Sequence, residues 1–198
     1  MQRQPSEDLT AVSKPAPVTP AAALRKADSA LIVRVPEAEA CVGELRHCLD
    51  ASARLGVPAH ITLLFPFMPS QRITGAVLRQ AEAALAEVPA FSFRLHEVAR
   101  FPATAYLAPE PEEPFIALTA ALVCAFPAYP PFRGEHAAVV PHLTVANGNA
   151  EEAEAVAAEL TRPMQAHGPI VGRCSHVTLM ENEFGTWRDL HAFALPQR

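Results

Sequence analysis

Three places in the chain carry the motif His-x-Thr set among apolar residues: His60-Ile61-Thr62-Leu63, His142-Leu143-Thr144-Val145 and His176-Val177-Thr178-Leu179. Eight histidines and ten threonines in 198 residues give about 0.4 such motifs by chance, so one copy would mean nothing and three do not arise idly. On a strand, residues i and i+2 point to one face. His60 therefore projects with Thr62 and His142 with Thr144, while Ile61, Leu63, Leu143 and Val145 face an apolar side. Two such strands related by a pseudo-twofold bring two imidazoles and two hydroxyls around one point. That set suits phosphoester chemistry. One neutral imidazole takes a proton from an attacking water or hydroxyl, and the other, protonated, gives one to the leaving oxygen. The threonine hydroxyls can hydrogen-bond the non-bridging oxygens that carry developing charge. Two histidines in opposite protonation states cover both proton transfers, so neither a metal nor a cofactor is expected.

The remaining candidates are weaker. His176 falls in the strand after the second helix, the counterpart of Phe91–Phe101 and not of either paired motif, and reads as a satisfied surface or core histidine. His136 reads as a loop histidine. A metal hydrolase would need H-E-x-x-H, paired cysteines or a carboxylate close to a His-x-Thr motif, and the sequence has none of these. Phe67, Phe101, Tyr106 and Trp187 could stack a base. Core packing is the default for each, and Tyr106 is the preferred exception because a polar-tipped aromatic suits a cleft. Arg100 and Arg133 could touch phosphate, with solvated arginine as their default.

Elements of known periodicity must position these residues. Residues 1–28 mix Pro5, Pro15, Pro17 and Pro20 with Ser, Thr and Ala and predict a flexible leader. A strand is expected over Ser29–Val35. A helix over 37–55 follows, with Cys41, Val42, Leu45, Cys48 and Leu49 on its apolar face and Gly56 as its stop. Pro58–Phe67 reads as a strand, 71–88 as a helix, Phe91–Phe101 as an alternating strand, and Thr104–Ala108 as its partner across a Pro102-Ala103 turn. Pro114 opens a helix with Phe115, Leu118, Thr119, Leu122, Val123 and Phe126 buried. Val139–Ala146 is the second histidine strand. Asn149 caps the next helix, with Glu152 three residues on, and two closing strands, about 170–180 and 186–195, flank a turn at Asn182–Gly185. Strand with His, helix, strand, strand thus occurs twice, from His60 and again from His142.

Composition bounds the rest. A chain of 198 residues, 50% hydrophobic and 19% charged, can bury a core and suits one domain or two fused lobes, here residues 29–198. Its net charge of -5 argues against coating long nucleic acids but not against a small phosphate site. The four cysteines form no C-x-x-C pair and are expected to be buried free thiols. No apolar run of about 18 residues and no signal-peptide core exists, which predicts a soluble, cytoplasmic protein without a membrane partner.

The paired motifs, about eighty residues apart, resemble the signature of the 2H phosphoesterase superfamily, close to its 2′-5′ RNA ligase-like branch. The resemblance covers about residues 29–195, with Phe65-Pro66-Phe67 after the first motif and Ala105-Tyr106-Leu107 before the central helix. It implies an α+β fold of two pseudo-symmetric lobes, each an antiparallel sheet flanked by helices, with both motifs in a central cleft. It also implies metal-independent cleavage of 2′,3′-cyclic phosphates on nucleotides or short RNA ends by a monomer. The family's catalytic histidines fall on His60 and His142, and its phosphate-binding hydroxyls on Thr62 and Thr144. The alternative from another class is a nucleotide- or RNA-end-binding module that keeps the fold without turnover. Intact His and Thr in both motifs favour the enzyme.

Overall fold

Eight strands fall into two four-stranded antiparallel sheets in the computed structural model, which describes residues 29–135 and 138–197. The leader expected over residues 1–28 and His136 lie outside the described residues. The first sheet is ordered β2 (His60–Leu64), β1 (Ser29–Arg34), β7 (His176–Glu181), β8 (Arg188–Ala194). The second is ordered β5 (Leu143–Asn147), β4 (Thr104–Glu110), β3 (Phe91–Phe101), β6 (Ile170–Cys174). Each histidine strand is an edge strand next to the strand that precedes it in sequence. The α+β architecture of two matching sheets is the one expected.

The helices form where the apolar spacing puts them. Helix α1 (Glu39–Leu49) is followed by a single helical turn, Ala51–Arg54, in which the Ser52 amide donates to the Asp50 carboxylate. Helix α2 (Gly75–Leu85) starts at Thr74, whose hydroxyl accepts from the Val77 amide, and buries Ala81 and Leu85. Helix α3 (Glu113–Ala125) carries Pro114 in its first turn and buries Phe115, Leu118, Thr119 and Leu122. Helix α4 (Ala150–His167) starts at Asn149, whose Oδ1 accepts from the Glu152 amide at 2.9 Å. That satisfies one of the otherwise unpaired first-turn donors.

The structure corrects the sequence reading in three places. The segment 170–180 is two strands, because β6 pairs with β3 (Phe91↔Cys174) while β7 pairs with β1 and β8 (His176↔Ala194). Ser175 is the single residue between the sheets. Nothing in the local pattern marks this break, since both pieces are extended and no Pro or Gly separates them. The lobes are consequently not the two halves of the chain. After the first histidine strand and its helix the chain crosses to the second sheet with β3, whereas after the second it first adds β6 to the same sheet and only then crosses to the first sheet with β7. Thirdly, Cys48 and Cys124 are exposed and Cys41 half-buried; among the four free thiols only Cys174 is buried. On α1 the buried positions are Val42 and Arg46.

One continuous apolar cluster joins the lobes. It takes Leu31, Ile61 and Leu179 from the first sheet, Phe93, Leu107 and Val145 from the second, and Phe115 and Leu160 from the helices. Each such side chain contributes about 1.5–3 kcal/mol on burial, so the lobes are held at a fixed angle by a shared core. The helices also cross over: α1 packs on β5, and α3 on β2. A smaller cluster, Ala30, Ile32, Val57, Met180 and Trp187, covers part of the other face of the first sheet.

Candidate active site

The two edge strands β2 and β5 lie against each other, and His142 is near enough for its charge to act on the His60 ring. Their exposure follows the same alternation. His60 and Thr62 are half-buried while Ile61 and Leu63 are buried; His142 and Thr144 are half-buried while Leu143 and Val145 are buried. This is the period-2 pattern read from the sequence, with the apolar residues inserted in the core. His142 itself precedes the first ladder residue of β5, because Val139–Pro141 is not part of the strand.

Both imidazoles are oriented by the same device. His60 Nδ1 lies 2.7 Å from the Pro58 carbonyl, and His142 Nδ1 lies 2.7 Å from the Val140 carbonyl. A carbonyl only accepts, so each Nδ1 carries the proton and donates it. In the neutral ring Nε2 then holds the lone pair that can take a proton. The backbone two residues upstream thus fixes both tautomer and ring angle.

The surroundings of the two rings differ. Burial of His60 pushes its pKa down to about 4. The Arg46 guanidinium adds to that fall and His142 adds a little more, against the Pro58 hydrogen bond and the Asp50 carboxylate. Arg46 is 1% exposed and Asp50 4%, and they form an ion pair of 2.9 Å. His142 instead stands against aromatic rings, with centroids 5.1 Å from Phe101 and 5.2 Å from Tyr106. Tyr106 is only 8% exposed, lies opposite Thr144 in the ladder, and is covered by Phe101 at 4.5 Å. Phe101 is the half-buried member of the pair and offers more open ring.

The other candidates fall elsewhere. Phe67 is buried between Phe126 and Tyr129, and Trp187 is buried against Phe65. Arg100 pairs with Glu154 at 3.7 Å. The third motif sits on β7 in register with the first: Ile32 is opposite both Thr62 and Thr178, so the three share a face. His176 is exposed there, 3.0 Å from the Ser175 hydroxyl, two strands away from His60. Among the described residues, no group of three or more His, Cys, Asp or Glu side chains is placed to hold a metal ion, and no helix is long and apolar enough to cross a membrane.

The residue that sequence reasoning missed is Arg46. Its signal was the spacing Val42, Arg46, Asp50, a charge pair at i and i+4 on the apolar stripe of α1. A cation on a stripe that must be buried requires a partner and a reason.

Comparison with known proteins places the family and the fold. The model of the 2′-5′ RNA ligase superfamily matches residues 33–186. Among solved structures, E. coli LigT complexed with 3′-AMP is similar at a TM-score of 0.57 and 16% identity, over 86% of this chain and 99% of that one. LigT complexed with NADP+ gives a TM-score of 0.54 at 17% identity, over 86% and 98%. A structure described as a phosphoesterase gives 0.58 at 14%, over 87% and 100%. At these identities the likeness concerns the fold. No curated protein matches the sequence.

Proposed function

Because the chain belongs to the 2′-5′ RNA ligase superfamily, we propose that its cleft hydrolyses 2′,3′-cyclic phosphates of nucleotides or short RNA ends by two-histidine acid–base catalysis, without a metal. The observation that carries this reading is the matched pair of half-buried His-x-Thr motifs on facing edge strands, each histidine with Nδ1 held by a backbone carbonyl. In the reaction a water oxygen attacks phosphorus and loses its proton to one Nε2. The ester bond to one ring oxygen breaks, and the other histidine gives that oxygen its proton. The product is a phosphomonoester beside a free hydroxyl. Thr62 and Thr144 hydrogen-bond the non-bridging oxygens, whose charge grows as the attacking oxygen bonds. Run backwards, the same groups would join ends. Phe101, lying over Tyr106, is the ring on which a base would stack, and the complexes of LigT, a protein of similar fold, with 3′-AMP and NADP+ support a nucleotide ligand here. The protein would work as a monomer in the cytoplasm.

The test is a panel of 2′,3′-cyclic nucleotides and cyclic-ended oligoribonucleotides assayed with excess chelator, following release of the monoester by phosphorus NMR. Turnover that survives chelation and is lost in His60→Ala and His142→Ala is the expected outcome. Binding with no turnover would leave only the non-catalytic module, and activity lost to chelator and restored by zinc would replace the two-histidine mechanism.

A further inference from the structure

The ladder beside the first motif contains a bulge. Ile32 pairs with Thr62 but its neighbour Leu31 pairs with Leu64, so Leu63 is the extra residue. Leu63 and Leu64 are both buried in the main core, and Phe65 returns to the opposite face. There it packs on the cluster of Ala30, Ile32, Val57, Met180 and Trp187, and Ile32 is the residue opposite Thr62. The bulge thus re-aims Phe65 to the face that carries the His and Thr of the first motif. Trp187, 7% exposed, meets the half-buried Phe65 ring edge-on with centroids 5.9 Å apart, and its backbone amide is tied to the Leu55 carbonyl at 2.7 Å. The Phe132 amide donates to the Phe65 carbonyl at 2.6 Å, from a turn in which Phe132 and Arg133 hold φ of 48° and 57°. Residues with side chains keep that left-handed backbone only where their surroundings impose it. Arg133 is exposed, and none of the ion pairs among the described residues involves it.

The second motif has a matching arrangement, the half-buried Phe101 against the buried Tyr106. Each motif is thus accompanied by one partly open phenylalanine ring backed by a larger, buried aromatic. A nucleoside has one base, which covers one of the two rings. We propose that Phe65, backed by Trp187, is a second base-stacking platform, and that the cyclic phosphate enters as the end of an oligonucleotide, with its terminal base on Phe101, the base before it on Phe65, and Arg133 on the phosphate between them. That placement rests on the hydrolytic reading given above; a base platform at Phe65 does not. Phe65 lies three residues beyond Thr62, at most about 10 Å along the strand, which leaves room for the nucleotide next to the one whose phosphate Thr62 holds. The linking phosphate supplies an anion for Arg133, and an aromatic ring accepts any base because every base has a π-face. A footprint of two nucleotides also suits a chain of net charge -5, which is poor in the cations that follow a long strand.

The experiment uses the full chain and compares ligands of one and two nucleotides. Trp187 is the only tryptophan in the sequence, so its fluorescence reports on the Phe65 side. A dinucleotide ending in a 3′-phosphate should change that emission on saturation, and 3′-AMP should not. With cyclic-ended substrates, kcat/KM for the dinucleotide should exceed that for the mononucleotide about 5- to 150-fold, the worth of one base–aromatic stack. Phe65→Leu keeps an apolar side chain on the Trp187 cluster and removes the flat face, so the ratio should fall to about one while the mononucleotide rate stays within a few-fold of the parent. Arg133→Ala should lower the ratio by a smaller, salt-dependent factor of about two to five. Equal kcat/KM for the two substrates in the parent, a ratio kept in Phe65→Leu, or equal emission changes with the two 3′-phosphates would overturn the proposal. Should Phe65→Leu not fold, the parent's preference and its emission carry the same test. A parent without turnover whose emission responds to the dinucleotide alone would sink the hydrolytic reading and leave the platform standing. Turnover of both substrates at equal kcat/KM would do the reverse.

Discussion

The His60 and His142 motifs are built from the same local pattern and end in different environments. Both place His and Thr at i and i+2 on an edge strand, and both hold Nδ1 on the carbonyl of residue i-2 at 2.7 Å. Opposite the threonines the sides part: Thr62 faces Ile32, and Thr144 faces Tyr106. His60 is half-buried, and the Arg46 guanidinium disfavours its charged form, whereas His142 stands by two aromatic rings. A strand repeat sets where two imidazoles point, and the residues contributed by other elements give each ring its own surroundings.

The largest effects should come from breaking either histidine. His60→Ala and His142→Ala are each expected to lower kcat/KM by about 10²–10⁴. The residual pH profiles should differ. In the parent, kcat/KM should trace a bell against pH, with His60 neutral above about pH 4. His60→Ala and His142→Ala should each erase one limb, and a different one. The two titrations interact, so the limbs of the parent belong to the pair. Finding the same limb lost in both variants would break the comparison.

The same asymmetry has a consequence for stability. Unfolded His60 takes up a proton near pH 6.5 and folded His60 only near pH 4, so between these values the unfolded chain binds more protons. Stability should therefore fall as pH drops from about 6.5 to about 4, and His60→Gln should flatten that part of a Tm-against-pH curve. An unchanged slope in the variant would place the acid sensitivity elsewhere.

Smaller effects separate charge stabilisation and binding from proton transfer. Thr62→Val and Thr144→Val should lower kcat by at most about 10²–10³, less in an open cleft, with the pH profile kept in shape. A changed profile would mean that the hydroxyls move protons. Phe101→Ala should raise KM about fivefold or more with little change in kcat, the loss of one base–aromatic stack. An effect confined to kcat would instead make Phe101 a support for His142. The smallest change belongs to His176→Ala, expected within a few-fold of the parent despite sharing a sheet face with the first motif. A loss matching that of His60→Ala, with the circular dichroism intact, would mean that the first sheet contributes a different histidine.

Much of this was legible along the chain because it depends on neighbours close in sequence. The i, i+2 spacing of His60 with Thr62 and of His142 with Thr144 settles that each pair shares a face. The apolar Ile61, Leu63, Leu143 and Val145 settle which face turns outward. Asn149 and Glu152 mark a helix start, and Val77, Ala81 and Leu85 mark a buried stripe, by geometry repeated every turn. Tertiary structure decided what depends on partners far away. Whether Cys174 and His176 continue one strand or enter two sheets depends on where β3 and β1 lie, and Ser175 itself carries no signal. Whether Arg46 is a solvated helix residue or a buried donor depends on a carbonyl 98 residues later in the chain. Local periodicity fixes directions because a strand or helix repeats every few residues. The energy of a buried charge is fixed only by whatever the fold brings against it, and so the inequality of two histidines in identical motifs appears only in three dimensions.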